Sequence, residues 1–228
     1  MCDAVAHSKC LLFADDVKIY QAIISPQDCY LLQSDVNSIQ GWCIANCMQL
    51  NISKTKVISF SRKTNIPIYD YKLCQSSIAQ TDSVKDLGVF IDAKLYFHDQ
   101  VNYIFSHYVK LLGLVHNITF NFSSLDCMFR LYTALVRSKL EYASVVWNSI
   151  MSTDANKLEH IQQRFMALCF NCFYPQVHYN YSLAFEELKL HTLCTTRHRL
   201  DALFLIHIYF GLKFCPSVLE IVGLRVPF

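Results

Sequence analysis

Two adjacent aspartates, Asp15 and Asp16, stand between two short apolar segments near the start of the chain. Residues 10–13 are apolar throughout, and residues 17–20 alternate in polarity, which is typical of a half-buried strand. Carboxylates between strands are costly to bury unless something pairs with them. The pattern therefore predicts a tight β-hairpin with both carboxylates at its tip. For an isolated pair of aspartates, a solvent-facing turn without chemistry is the preferred interpretation.

A helix is predicted to follow this hairpin. Ser25 is a good N-cap, Pro26 suits the first helical position, and Asp28 lies three residues after the cap. Apolar residues then recur at helical spacing, namely Leu32, Val36, Ile39 and Cys43.

The next fifty residues predict short strands and turns. A turn begins at Asn51 and leads into a strand over 56–60, and the segment 67–75 indicates a loop-rich hairpin. A strand pair is predicted over 84–92, with Gly88 in its middle.

From His98 onward the pattern becomes helical. One apolar face comprises Val101, Ile104, Phe105, Tyr108, Leu111, Leu112 and Val115. A capping box at 123–126 predicts a long helix, with one side formed by Met128, Phe129, Tyr132, Leu135 and Val136. Further helices are predicted over 154–173, with an apolar face of Leu158, Ile161, Phe165 and Leu168, and over 197–211. The expected fold class is α+β, with one domain over 1–97 and a helical one over 98–228.

Composition excludes several classes of protein. The chain has 228 residues, of which 53% are hydrophobic and 17% charged, so it is far from the disordered class. The net charge of +2 provides no strong argument for nucleic-acid binding. With no apolar leader or long apolar run, we expect a soluble intracellular protein without membrane contact, in the nucleus or the cytoplasm.

Cysteine is frequent, but the spacing of the cysteines suggests no disulfide framework. The count of eleven is odd, and many lie in apolar stretches, which indicates reduced, partly buried thiols. Cys169 and Cys172 form a CxxC, but a structural zinc site needs two further ligands at matched spacing. Neither His178 nor Cys194 completes a second pair, so buried thiols are the favoured interpretation.

Several motifs occur in one collinear order along nearly the whole chain. They are LFADDVKIY at 12–20, LNISKT at 50–55, SFSR at 59–62, VKDLGV at 84–89, LEYA at 140–143 and QQRF at 162–165. In this order they resemble reverse transcriptases of non-LTR retrotransposons, especially jockey-like elements. The resemblance implies part of a polymerase palm over 1–97 and a helical thumb and connection region over 98–228.

The resemblance also implies roles for individual residues. Asp15 and Asp16 match the metal-binding aspartate pair, for which Mg²⁺ is the expected cofactor and Mn²⁺ the alternative. Phe13 matches the aromatic residue beside the primer end, and residues 87–88 (Leu87 and Gly88) match a turn that grips the primer. Lys54 matches a lysine that assists the leaving pyrophosphate; on its own it would be an exposed loop lysine.

The expected partners are an RNA template, a DNA primer and deoxynucleoside triphosphates. Arg130, Arg137 and Lys139 could contact the phosphate backbone, although a solvated helix face explains them as well.

Members of this family carry fingers and another catalytic aspartate before the motif that Asp15 matches. Fourteen residues are too few to hold them, so we expect the chain to be inactive alone. Two alternatives remain open. One is a non-catalytic nucleic-acid-binding or interaction module, and the other is an element fragment with no selected function. The oligomeric state is open.

Overall fold

The computed structural model describes residues 1–63, 67–119, 124–174, 176, 180, 185–186, 190–215, 218 and 221. The fold is α+β, with small two-stranded sheets followed by helices, as the sequence predicts. The chain forms two compact units. The first unit comprises residues 1–84 and 92–94, and the second comprises residues 85–91 and 95–228.

The first unit begins with a short 3₁₀ turn, Cys2–Ala4, and the predicted hairpin. Strand β1 (Lys9–Phe13) pairs antiparallel with β2 (Asp16–Tyr20). Among the described residues this sheet has only these two strands. Two strands alone are marginally stable in water, so the hairpin depends on what packs around it.

Helix α1 (Pro26–Ala45) follows, and its start confirms the predicted cap. The Asp28 carboxylate accepts hydrogen bonds from the N–H groups of Ser25 at 2.7 Å and Ile24 at 2.8 Å. These bonds hold the pKa of Asp28 below its ordinary value. Of the predicted apolar face, Ile39 and Cys43 are buried, while Leu32 and Val36 are half-buried. A small core in this unit joins Cys29 of α1 to Tyr71, Leu73 and Ile78.

The remaining strands are short. Strand β3 (Lys56–Val57) pairs parallel with β6 (Ala79–Gln80), and β4 (Lys72–Leu73) pairs antiparallel with β5 (Ser76–Ser77). Strand β7 (Ser83–Asp86) pairs with β8 (Val89–Asp92). The strand predicted over 56–60 is thus only two residues long.

The second unit is helical. Its elements are α2 (His98–Thr119), α3 (Leu125–Tyr132), a π-helical segment (Thr133–Arg137), α4 (Ser138–Leu140), α5 (Ser144–Trp147), α6 (Ser152–Phe173) and α7 (Leu193–Tyr209). The predicted helix over 197–211 therefore begins four residues earlier and ends two residues earlier. Thr192 caps α7, because its hydroxyl accepts from the N–H of Thr195 at 3.0 Å. Ser124 caps α3, accepting from the N–H of Cys127 at 3.4 Å, whereas Ser123 lies outside the described residues.

One continuous core lies between the helices of this unit. The rings of Tyr132 and Phe165 stack with centroids 3.8 Å apart and planes 6° from parallel. The predicted apolar faces supply most of this core, whose residues include Val101, Ile104, Leu112, Val115, Met128, Val136, Leu140, Trp147, Leu158 and Ile161. Leu135 is an exception, because it is 42% exposed on the π-helical segment. In the described part of the chain, none of the helices is long and apolar enough to cross a membrane.

Candidate functional site

The hairpin that carries the two aspartates closes in a two-residue turn. Phe13 pairs directly with Asp16, which leaves Ala14 and Asp15 as the turn residues. Ala14 has a positive φ of 53°, whereas Asp15 does not lie in the left-handed region. This is the pattern of a type II′ turn, in which the first position favours glycine. An alanine there stores roughly 1–2 kcal/mol of backbone strain. Strained residues occur often at functional sites, although seven other described non-glycine residues of this chain also have a positive φ.

The tip of the hairpin is open to solvent. Asp15 and Asp16 are both exposed, and Phe13 is 58% exposed. Because directly paired residues lie on the same face of a sheet, Phe13 and Asp16 share a face. The tip thus exposes two carboxylates and an aromatic side chain to solvent.

This pair of carboxylates suits a hard cation only in part. Mg²⁺ is commonly held by one or two carboxylates together with substrate phosphates. Across the described positions, the structure contains no group of three or more His, Cys, Asp or Glu side chains that could hold a metal ion. Asp15 and Asp16 therefore do not form a metal cage by themselves, and a cation held here would need further oxygen ligands.

Lys54 lies in a separate turn of the same unit. Asn51 organises this turn, since its Oδ1 accepts from the Lys54 N–H at 3.1 Å and from the Ser53 hydroxyl at 2.7 Å. The Lys54 side chain is exposed. The turn predicted to begin at Asn51 is confirmed.

The Leu87–Gly88 turn is built differently from the first hairpin. Both residues have positive φ, 44° for Leu87 and 87° for Gly88, as a type I′ turn requires. The hydroxyl of Tyr142 donates to the Leu87 carbonyl at 3.0 Å. A Cβ on Gly88 would lie 3.5 Å from the Tyr142 ring, which is ordinary contact. Tyr142 was not singled out as a site residue, although it stands in the LEYA motif.

Two of the three predicted phosphate-binding residues form internal contacts. Arg130 Nε lies 2.7 Å from Asp126 on the exposed face of α3. Arg137 donates to Glu141 at 2.7 Å and to the Thr196 hydroxyl at 2.9 Å, and its side chain is largely buried. Lys139 is exposed.

Asp35 is a buried carboxylate that sequence reasoning did not select. It lies on α1, only 1% exposed, and accepts from the N–H groups of Ala6 at 2.9 Å, His7 at 3.0 Å and Ser8 at 2.7 Å. The Ser8 hydroxyl donates to the same carboxylate. Burial disfavours the charged form, but these hydrogen bonds outweigh it and lower the pKa of Asp35. Its place beside the apolar face of α1 is the sequence signal that could have found it.

Arg197 is a second buried charge. It is 1% exposed, its Nε donates to Asn148 Oδ1 at 2.9 Å, and its guanidinium lies 5.9 Å from the centre of the Trp147 ring. Asn148 in turn donates to Asp201 at 2.5 Å. Burial lowers the pKa of Arg197. These contacts join α5 to α7 inside the second unit.

The CxxC lies within α6. Cys169 is buried and Cys172 is exposed. Burial raises the pKa of the Cys169 thiol to about 12, so this cysteine stays protonated and packs as an apolar side chain.

Comparison of the chain with protein-family models, with curated proteins and with solved structures finds no significant match.

Proposed function

We propose that the chain is part of an RNA-directed DNA polymerase of a non-LTR retrotransposon, comprising palm and thumb portions and inactive by itself. The observation that carries the proposal is the strained two-residue turn that presents Asp15 and Asp16 to solvent between two paired strands. The collinear order of the motifs supports the same conclusion.

The proposed chemistry is template-directed transfer of a deoxynucleotide to a primer end. Mg²⁺, or Mn²⁺ in its place, would offset the charge that develops on the phosphates. Asp15 and Asp16 are the proposed oxygen ligands, and Phe13 is the proposed aromatic contact of the primer end. Lys54 is a proposed charge partner of the leaving pyrophosphate, and the 87–88 turn is a proposed primer contact.

The described acidic groups offer too few ligands for this chemistry. We therefore expect no primer extension by the 228-residue chain with RNA template, DNA primer, deoxynucleotides and Mg²⁺. Robust extension that disappears in Asp15→Asn would contradict this expectation.

A hybrid enzyme tests the roles directly. The upstream half of a jockey-like reverse transcriptase is joined to this chain, and primer extension is measured. Asp15→Ala should abolish extension, because losing a metal ligand removes the ion. Lys54→Ala should leave a reduced rate, because it slows a single step. Asp82→Ala, which removes another exposed carboxylate of the same unit, serves as the control. Equal losses in the Asp15 and Lys54 variants would refute the assigned roles.

Metal binding supplies a second readout that does not require activity. Mn²⁺ added to the 228-residue chain should broaden the amide NMR signals around Asp15 and Asp16 before other signals. Asp15→Asn together with Asp16→Asn should remove this selective effect. Broadening that persists in the double variant would count against a site at the hairpin tip.

A second candidate function is a non-catalytic nucleic-acid-binding module. The observation that favours it is the large core of the second unit, which includes none of the residues of the acidic hairpin. Under the first proposal, affinity for template–primer duplex is weak, since the net charge is only +2. The binding is mostly electrostatic, so it falls steeply with salt. Tight, sequence-specific binding at physiological salt would favour the module instead.

A further inference from the structure

Two cysteines from different elements of the first unit meet beside the acidic hairpin. Cys2 lies in the 3₁₀ turn and Cys10 lies in β1, and their Sγ atoms are 2.7 Å apart. Both side chains are half-buried rather than sealed in a core. The pair is thus close enough to react and open enough for a small reagent to reach.

The segment between the two cysteines is already held in place. The buried carboxylate of Asp35 accepts hydrogen bonds from three consecutive N–H groups, those of residues 6–8. Residue 8 is only two positions before Cys10. Because Asp35 fixes this loop on α1, closing a bond between Cys2 and Cys10 would remove little further freedom from the folded chain.

We propose that Cys2 and Cys10 are a reversible oxidation site that forms a disulfide at the expense of a low-molecular-weight disulfide such as oxidised glutathione. This proposal is independent of the polymerase assignment. It concerns how firmly the hairpin is held in its folded conformation, whatever chemistry its tip performs.

The reaction proceeds by two thiol–disulfide exchanges. The Cys2 thiolate attacks one sulfur of oxidised glutathione, which breaks the glutathione disulfide and releases one glutathione thiolate. Cys10 then loses its proton and attacks the Cys2 sulfur, which forms the internal disulfide and releases the second glutathione. Two protein thiols are oxidised and one glutathione disulfide is reduced to two thiols.

The surroundings assign the order of attack. Burial, together with the contact to Cys2, raises the pKa of Cys10 to about 11, so Cys10 is a thiol at neutral pH. The nucleophile in such exchanges is the thiolate. Because Cys10 is held as a thiol in contact with Cys2, we assign Cys10 as the resolving residue, which lies next to the mixed disulfide once that forms on Cys2.

The disulfide would join the 3₁₀ turn covalently to β1. This strand belongs to a sheet of two strands among the described residues, with Leu11, Leu12 and Phe13 all exposed. A bond at Cys10 would fix the start of the strand while leaving Asp15 and Asp16 accessible at the other end. Oxidation should therefore slow opening of the hairpin.

The sequence makes the site easy to measure. Trypsin cleaves after Lys9 and Lys18, so the peptides 1–9 and 10–18 carry one cysteine each, Cys2 and Cys10. Exposed Cys74 is the only cysteine in the tryptic peptide 73–85 and serves as the internal comparison. The full chain is equilibrated in glutathione buffers from strongly reducing to oxidising, quenched with acid, alkylated, digested and analysed by mass spectrometry.

We expect peptides 1–9 and 10–18 to become disulfide-linked at a ratio of reduced to oxidised glutathione at least tenfold more reducing than the ratio at which Cys74 is modified. Cys10→Ser should abolish the link and leave Cys2 as a glutathione adduct, whereas Cys74→Ser should leave the link unchanged. Asp35→Asn should shift formation of the link by tenfold or more toward oxidising buffer. The proposal is overturned if wild-type Cys2 and Cys10 are alkylated to the same extent as Cys74 at every ratio. It is also overturned if Cys2 in the wild-type chain accumulates as the glutathione adduct.

Discussion

Removing the Asp35 carboxylate should loosen the first unit selectively. Asp35→Ala takes the acceptor away from three backbone N–H groups and from the Ser8 hydroxyl. A buried donor left unpaired costs about 1–3 kcal/mol. Water can replace the carboxylate at Ala6 and His7, which are exposed residues, but less readily at half-buried Ser8. We therefore expect a loss of about 3 kcal/mol in the free energy of opening, or roughly a hundredfold in the opening equilibrium.

Hydrogen exchange followed by mass spectrometry measures this loss separately for each segment of the chain. Amides 6–8 and those of α1 should exchange faster in Asp35→Ala, while amides of α6 should not change. Asp82→Ala removes an exposed carboxylate of the same unit and is the matched control. The reasoning is refuted if amides 6–8 keep their wild-type exchange rates, or if Asp82→Ala has an equal effect.

The same carboxylate predicts a pH dependence with a definite sign. The folded-state pKa of Asp35 is lowered. Its contribution to stability is therefore complete above the unfolded-state pKa of about 3.9, and it is lost as the pH falls through the folded-state value. An acid titration followed by circular dichroism should show this loss in the wild-type chain. The loss should be smaller in Asp35→Ala, and identical acid curves would contradict the assignment.

Two further predictions concern backbone conformation and local stability. Gly88→Ala should destabilise the second unit by about 1–2 kcal/mol in urea unfolding, because Gly88 has a φ of 87° that alanine disfavours. Gly113→Ala should stabilise it by about 1 kcal/mol, because Gly113 lies inside α2 with open space around it; changes of the same sign would refute this pair. In hydrogen exchange, residues 9–20 should exchange at least tenfold faster than residues 125–145, because no third strand pairs with the hairpin among the described residues, while residues 125–145 are packed in a core. Equal protection of the two segments would show that the edge of the hairpin is covered.

Local signals predict much of this fold. The cap at Ser25, the hairpin around Asp15 and the apolar faces of α2 and α6 each depend on residues a few positions apart. Patterns of this kind can be read from sequence because the interacting groups are neighbours in the chain. The acidic hairpin of the candidate site was predictable for the same reason.

The features that sequence reasoning missed depend on distant residues. Asp35 meets residues 6–8 across 27 to 29 positions, and Arg197 meets Asn148 across 49. A carboxylate or guanidinium on a helix is ordinarily expected to face solvent, and only the tertiary packing supplies its buried partners. The hydrogen bond of Arg137 to Thr196, 59 positions away, is of the same kind and could not be predicted from the sequence either.

The π-helical segment Thr133–Arg137 has the form of a single-residue insertion. Four buried residues around it are spaced by four: Met128, Tyr132, Val136 and Leu140. In an uninterrupted α-helix three such steps would carry the last residue about 120° away from the first, since each step overshoots a turn by about 40°. The π-helical i→i+5 turn holds more residues than an α-helical turn, so it brings these four side chains back toward one face. Removing exposed Ala134 would leave a spacing of four, three and four, which a regular α-helix keeps on one face. This helix can therefore change its length by one residue without exchanging the side chains that it buries.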